Sequence, residues 1–179
     1  LGYGLKGVEG FAVGVEVFIT NGLPSLDIVG LPDASVKESR DRVRAALMNS
    51  AFSMPVARVT VNLAPADMRK EGPAFDLPIA VGVLQASGQA SFLPLEDALL
   101  LGELSLHGEL QPLRGALAMV ISARSQGVKQ VVLPAQNARE VMCIQGMQVF
   151  PAQNLGEAVG HLTGRRRIPA QVQQSYESC

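Results

Sequence analysis

The stretch from Leu77 to Ala86, LPIAVGVLQA, constrains the fold more than any other, because apolar residues occupy every side of the helix it would form. A helix with one apolar stripe can lie on a protein surface, whereas one that is apolar all round has to be covered all round. Ser87-Gly88 supplies a stop after it. The run is also far short of the ~20 residues that span a bilayer, so the rest of the chain has to provide the cover. With 179 residues, 47% of them apolar, the chain is long enough to do so as one domain that buries roughly 70% of its unfolded surface.

The flanking sequence offers sheets for that purpose. Phe11, Val13, Val15, Val17 and Ile19 alternate with Ala12, Gly14, Glu16 and Phe18, the period of two that marks a strand with one apolar face. Leu26, Ile28 and Gly30 continue the alternation after Asn21-Gly22 and Pro24, so residues 11–30 read as a hairpin with an Asn-Gly turn. A helix follows, with Ser35 and Glu38 at capping-box spacing, Lys37/Asp41 and Glu38/Arg42 as i, i+4 pairs, and Val36, Val43, Ala46 and Leu47 as its buried face. Ala57, Val59, Val61 and Leu63 share one side of a second strand. Downstream, a hairpin over 99–110 bends near Ser105 to Gly108. Then come helices at 114–125, 136–142 and 155–162, with strands at 130–133 and 147–150 between them. That alternation predicts a mixed α/β (α+β) sheet fold. From Gly164 the text turns polar and aperiodic, as a linker or tail would.

Several function classes drop out. Fifteen basic residues against 16 acidic ones leave a net charge of -1, so any nucleic-acid contact has to come from a local patch. Two such patches exist, Arg69-Lys70 and Arg165-Arg166-Arg167, neither with aromatic residues for base stacking. Gly2, Gly4 and Gly7 fit G-x-G-x-x-G, but without a preceding strand or a following helix they lack the dinucleotide-binding context. The phosphate-cradling G-x-x-x-x-G-K-[ST] pattern is absent. His107 and His161 are far apart, have no Cys or His at ligand spacing, and read as surface or loop residues. Ser105, Ser122 and Ser125 lack a nucleophile-elbow context, and no triad follows from spacing. Asp76 is read as a cap on the apolar helix in preference to a salt bridge to Lys70. Cys143 lies in an apolar run and Cys179 ends the chain, which reads as reduced thiols. With no signal-peptide pattern and no membrane span, that reading points to the cytoplasm.

Two longer segments carry more information. RKEGPAFDLPIAVGVL (69–84) and LGELSLHGELQPLRGALAMVISARSQG (101–127) resemble the catalytic segments of Lon-type serine/lysine peptidases. In that pattern a serine follows the first Gly-Pro, and a lysine stands on the helix after Pro-x-x-Gly. Here Ala74 and Met119 occupy the two places, and neither a methyl nor a thioether can act as nucleophile or base.

The strings VGLPDASVKESRDRVRAAL (29–47), RVTVNLAPADMRKEGPAFDLPIAVGVL (58–84) and LLLGELSLHGELQPLRGALAMV (99–120) further resemble the N-terminal domain of the ComM/YifB family of magnesium-chelatase-like AAA+ proteins. The resemblance implies a Lon-protease-like domain of the ribosomal protein S5 domain 2-like fold over 1–163, without the catalytic dyad. Residues 164–179 would then be a linker to an AAA+ module. It implies a domain with no cofactor of its own, ATP and Mg²⁺ being expected for the AAA+ module. It also implies partners in that module, in neighbouring subunits of a hexamer and in DNA, with branch migration during natural transformation as the activity of the whole protein. Two other readings stay open: a peptidase with non-standard catalytic residues, and a direct DNA-binding module using Arg69, Lys70, Arg165, Arg166 or Arg167.

Overall fold

The structure is a computed structural model that describes residues 2–6, 9–95 and 97–172. The first sheet has the order β1 (Gly2–Lys6), β2 (Glu9–Thr20), β4 (Arg58–Ala64), β3 (Ser25–Val29). β4 runs antiparallel to β2 and parallel to β3. The predicted 11–30 hairpin is therefore not formed, since β4 lies between its two arms. A two-residue type I′ turn needs positive φ at both central positions, and neither Asn21 nor Gly22 adopts it. The chain instead passes over the end of β4, where Gly22 approaches Arg58, and β3 reaches β4 through α1 (Ala34–Lys37) and α2 (Ser39–Asn49) as a parallel crossover.

Asp33 caps α1, its Oδ1 accepting the Val36 amide at 2.7 Å, and displaces the Ser35/Glu38 capping box that spacing suggested. The buried face is as read from sequence, with Val36, Val43, Ala46 and Leu47 inaccessible to solvent. Of the two i, i+4 pairs, Glu38–Arg42 closes at 3.5 Å.

α3 (Asp76–Ala86) is the helix the sequence required to be enclosed, and eight of its eleven residues are buried. It lies on β2 at Gly82, where an added Cβ would come 2.6 Å from Val17 Cγ2. The second sheet is parallel, β5 (Ala98–Leu100), β8 (Gln130–Pro134), β9 (Gln148–Ala152), and is covered on both faces. Val132 and Phe150 face the cluster around α2 and α3, which α5 (Leu155–Leu162) also joins. Val131, Leu133 and Val149 face a second cluster built on α4 (Ala116–Ser125). The expected 99–110 hairpin survives only as β6 (Glu103–Leu104) with β7 (Leu110–Gln111), because β5 is drawn into the parallel sheet. The predicted short helix near 136–142 is a 3-10 helix, Ala135–Val141. These layers form the mixed α/β architecture expected from sequence, and no helix among the described residues is long and apolar enough to cross a membrane.

Two side-chain expectations fail. His161 is fully buried in α5, because Phe150 packs against its ring and the segment after α5 folds back over it. Cys143 is disulfide-bonded and only half-buried, not a reduced core thiol. Cys179 lies outside the described residues, and the cysteines therefore carry no argument about compartment.

Candidate functional site

Ala74 and Met119, which stand where the Lon-type pattern has serine and lysine, come together. Ala74, at the end of the loop before α3, and Met119, in the first turn of α4, are 4% and 6% exposed and belong to the same apolar cluster. Both also line one cleft of about 720 Å³, walled by Asp33, the segment Glu71–Pro73, Glu103 of β6, and Pro112–Arg114 ahead of α4.

Each wall is held by an identifiable bond. The Gly102 amide donates to the Ala74 carbonyl at 3.1 Å and the Leu77 amide to the Gly102 carbonyl at 3.0 Å, which fixes the start of α3 against β6. Asp33 donates its amide to the Lys70 carbonyl at 2.9 Å and accepts the Gly72 amide on Oδ2 at 3.3 Å, tying the α1 entry to the loop. On the opposite wall, buried Asn137 imitates a backbone amide. Its Oδ1 accepts the Leu113 N–H at 2.8 Å and its Nδ2 donates to the Leu113 carbonyl at 2.9 Å. Sequence reasoning missed Asn137, which had only a polar residue in a short helical stretch to signal it.

Two residues after Ala74 stands a fully buried charge. Asp76 is inaccessible to solvent and is neither the helix cap nor the Lys70 partner that sequence offered. Its Oδ2 accepts from Arg42 Nε at 2.6 Å and from the Leu104 amide at 2.9 Å, and its Oδ1 accepts from Ser39 Oγ at 2.5 Å and Arg42 Nη2 at 3.1 Å. Burial pushes the Asp76 carboxyl up, and the Arg42 guanidinium, the Ser39 hydroxyl and the Leu104 amide pull it back. The signal available beforehand was Ser39 and Arg42 at i, i+3 on the buried side of α2.

The other sequence candidates are dispersed. Lys70 is buried, and its ammonium donates to the Pro65 carbonyl, so its charge is turned away from solvent; burial pushes its pKa down against the pull of Asp67. Arg69 is exposed and pairs with Glu71 at 3.5 Å. At the far end, Arg167 donates to the His161 carbonyl at 2.9 Å and lies 5.8 Å from the Phe150 ring centre, while Arg165 and Arg166 are exposed. Packing continues past the change of composition at Gly164. The Ile168 amide donates to His161 Nδ1 at 2.9 Å and the Gln171 amide to the Val149 carbonyl at 2.7 Å. His107 is exposed in the β6–β7 turn. Ser105 accepts the Glu109 amide on its hydroxyl at 3.1 Å, and Ser125 donates to the Ser122 carbonyl at 2.6 Å. Gly2 and Gly4 are paired strand residues of β1.

Chemically, the cleft offers carboxylates, one guanidinium and an apolar floor. None of the described residues lining it carries a hydroxyl, thiol, imidazole or amine. No group of three or more His, Cys, Asp and Glu among the described residues could hold a metal ion.

Residues 15–137 match the family model of subunit ChlI of Mg-chelatase. The chain is 40% identical over 172 residues to the competence protein ComM of Haemophilus influenzae, covering 96% of this chain and 34% of that protein. It is 41% identical over 172 residues to YifB of Salmonella typhimurium, again covering 96% of this chain and 34% of the relative. It thus spans about a third of the length of these relatives. A lower similarity extends to Lon protease homolog 2 of Caenorhabditis elegans, 27% over 120 residues, covering 64% of this chain and 15% of that protein. The Lon-like segments around Ala74 and Met119 thus sit within a chain that belongs to the Mg-chelatase subunit ChlI family, in the group that includes ComM and YifB.

Proposed function

We propose that this chain is a non-catalytic N-terminal domain that assembles and positions a larger ComM/YifB-like AAA+ ATPase. Its peptidase-like cleft serves as packing and contact surface. The observation that carries this reading is the floor of that cleft, where Ala74 and Met119 stand in the two places a serine/lysine dyad would need. The peptidase alternative loses support from the lysines nearest those places in sequence. Lys70 is buried with its ammonium on a backbone carbonyl, and Lys129 is exposed in the turn after α4.

By resemblance, the whole protein would be a hexameric, cytoplasmic motor that uses ATP and Mg²⁺, bound outside this chain, to drive branch migration of DNA during recombination. Residues 1–163 would form the Lon-like, S5 domain 2-like unit and 164–179 the connection onward. The test is to compare the whole protein with a form lacking residues 1–163, by sedimentation with ATP and Mg²⁺ and by branch migration on a four-way DNA junction. Loss of the ring and of migration is expected. An unchanged ring and rate would sink the assembly role, and casein cleavage or fluorophosphonate labelling of the intact protein would sink the non-catalytic one.

A further inference from the structure

β3 is the terminal strand of the first sheet, pairing with β4 on one side only. An unpaired edge presents a row of amide donors and carbonyl acceptors that another extended chain can complete. Proteins often blunt such edges with charges on the strand itself, and here Asp27 is the only one. Beside the strand runs an open groove of about 440 Å³, with Leu26 and Ile28 contributing apolar surface and Lys37, Arg40 and Arg58 standing around it. These three cations come from three elements, α1, α2 and β4. All three are exposed, and none forms an ion pair with a described residue.

An occupant has to satisfy three conditions: alternating backbone donors and acceptors for the edge, negative charge for the cations, and small apolar groups for the floor. A nucleic-acid strand meets only the second. Among the described residues the groove has no aromatic side chain to stack a base, and phosphates would face edge carbonyls and Asp27 as well as amides. We propose that the free edge of β3 takes up an extended acidic peptide as an added strand, with its carboxylates held by Lys37, Arg40 and Arg58. This interaction surface is separate from the cleft at Ala74 and Met119 and does not depend on the reading given to that cleft.

The probe is a fluorescein-labelled peptide of about ten residues alternating Glu and Val, titrated with the protein in about 50 mM salt and followed by anisotropy. Saturable binding is expected, with roughly tenfold weaker affinity for the exposed-site variant Arg40→Glu/Arg58→Glu. The same Glu-Val peptide with every backbone amide N-methylated lacks the donors an edge needs and should not bind. Unchanged thermal melting would show that the variant is folded, and if it melts early, Arg58→Gln alone replaces it with a smaller loss expected. The proposal is overturned by absence of binding, by equal binding of the N-methylated peptide, or by a folded variant that binds as well as the parent. It is also overturned if an oligothymidine displaces the acidic peptide at lower concentration than the unlabelled peptide does, which would make the groove a phosphate site.

Discussion

Replacing Arg42 with Met removes the cation from a carboxylate that has no access to water. Asp76 would keep Ser39 Oγ and the Leu104 amide but lose both guanidinium contacts, at 2.6 and 3.1 Å. Breaking a buried pair on one side costs about 3–5 kcal/mol, because the remaining charge is left uncompensated. At roughly 2–4 °C per kcal/mol for a domain of this size, the melting temperature should fall by about 6–20 °C. Adding Asp76→Asn should then recover at least half of the loss, since a neutral amide oxygen can still accept the Leu104 N–H. The assay is urea unfolding of the four species of the cycle, followed by circular dichroism. A second readout is pH. In Arg42→Met the stranded carboxyl has a folded pKa well above its unfolded value of ~3.9, so stability should rise as pH falls through that folded value. A double variant as unstable as Arg42→Met, or worse, would refute the stranded-charge argument and make the loss one of packing.

Two further outcomes follow from other sites. Gly30 has φ +107°, and a Cβ there would lie 2.2 Å from the Leu63 carbonyl oxygen, so Gly30→Ala should cost about 3 kcal/mol or more. Gly72→Ala, at φ +82° with open space around it, should cost only ~1 kcal/mol, and comparable melting shifts for the two would contradict the clash argument. His161 is held neutral, its pKa lowered to about 4 by burial and by Arg167. Its contribution is therefore complete above the unfolded value of ~6.5 and is lost as pH falls towards 4, by roughly 2 kcal/mol once screening of exposed Arg167 is allowed for. His161→Leu should flatten that part of the stability–pH curve, and an unchanged slope between pH 6.5 and 4 would assign the acid sensitivity elsewhere.

Periodicity recovered the elements because burial is a local pattern here. The alternation of β2 and β4, the enclosed α3 and the alternating helices and strands after β5 each leave a signature in their own residues. Pairing is not local. Nothing in residues 11–30 records that β4, some 30 residues on, will separate β2 from β3, and the Asn-Gly pair pointed to a turn whose backbone angles are not adopted. The same limit applies to charges. Lys70 looked like half of an exposed basic pair, and only the fold shows it turned inward onto Pro65, with Asp76 claimed by a residue 34 positions earlier. Ala74 and Met119 could be paired from sequence because a long resemblance supplied the spatial relation that spacing lacks. Asn137, which braces the opposite wall by bonding a backbone 24 residues away, had no comparable guide.

The same cleft explains why restoring two side chains should not restore chemistry. A lysine acts as a general base only when its surroundings lower its pKa towards the working pH. Met119→Lys would place an ammonium at a position only 6% exposed, where burial lowers its pKa, but in a cleft shared with Asp33, Glu71 and Glu103, whose negative charges oppose that shift and favour the protonated form. Arg114 opposes them with a single positive charge. Ala74→Ser would then find no base beside it, and its hydroxyl would stay protonated. The double variant should fold, show no casein cleavage and resist fluorophosphonate labelling between pH 7 and about 9, a range that lies below the ordinary lysine pKa of ~10.4. Further conversion of Asp33, Glu71 and Glu103 to neutral residues should lower the pKa of that lysine, measurable by its reactivity towards an acylating reagent. Labelling of the simple double variant at neutral pH would show that geometry outweighs the charge of the rim.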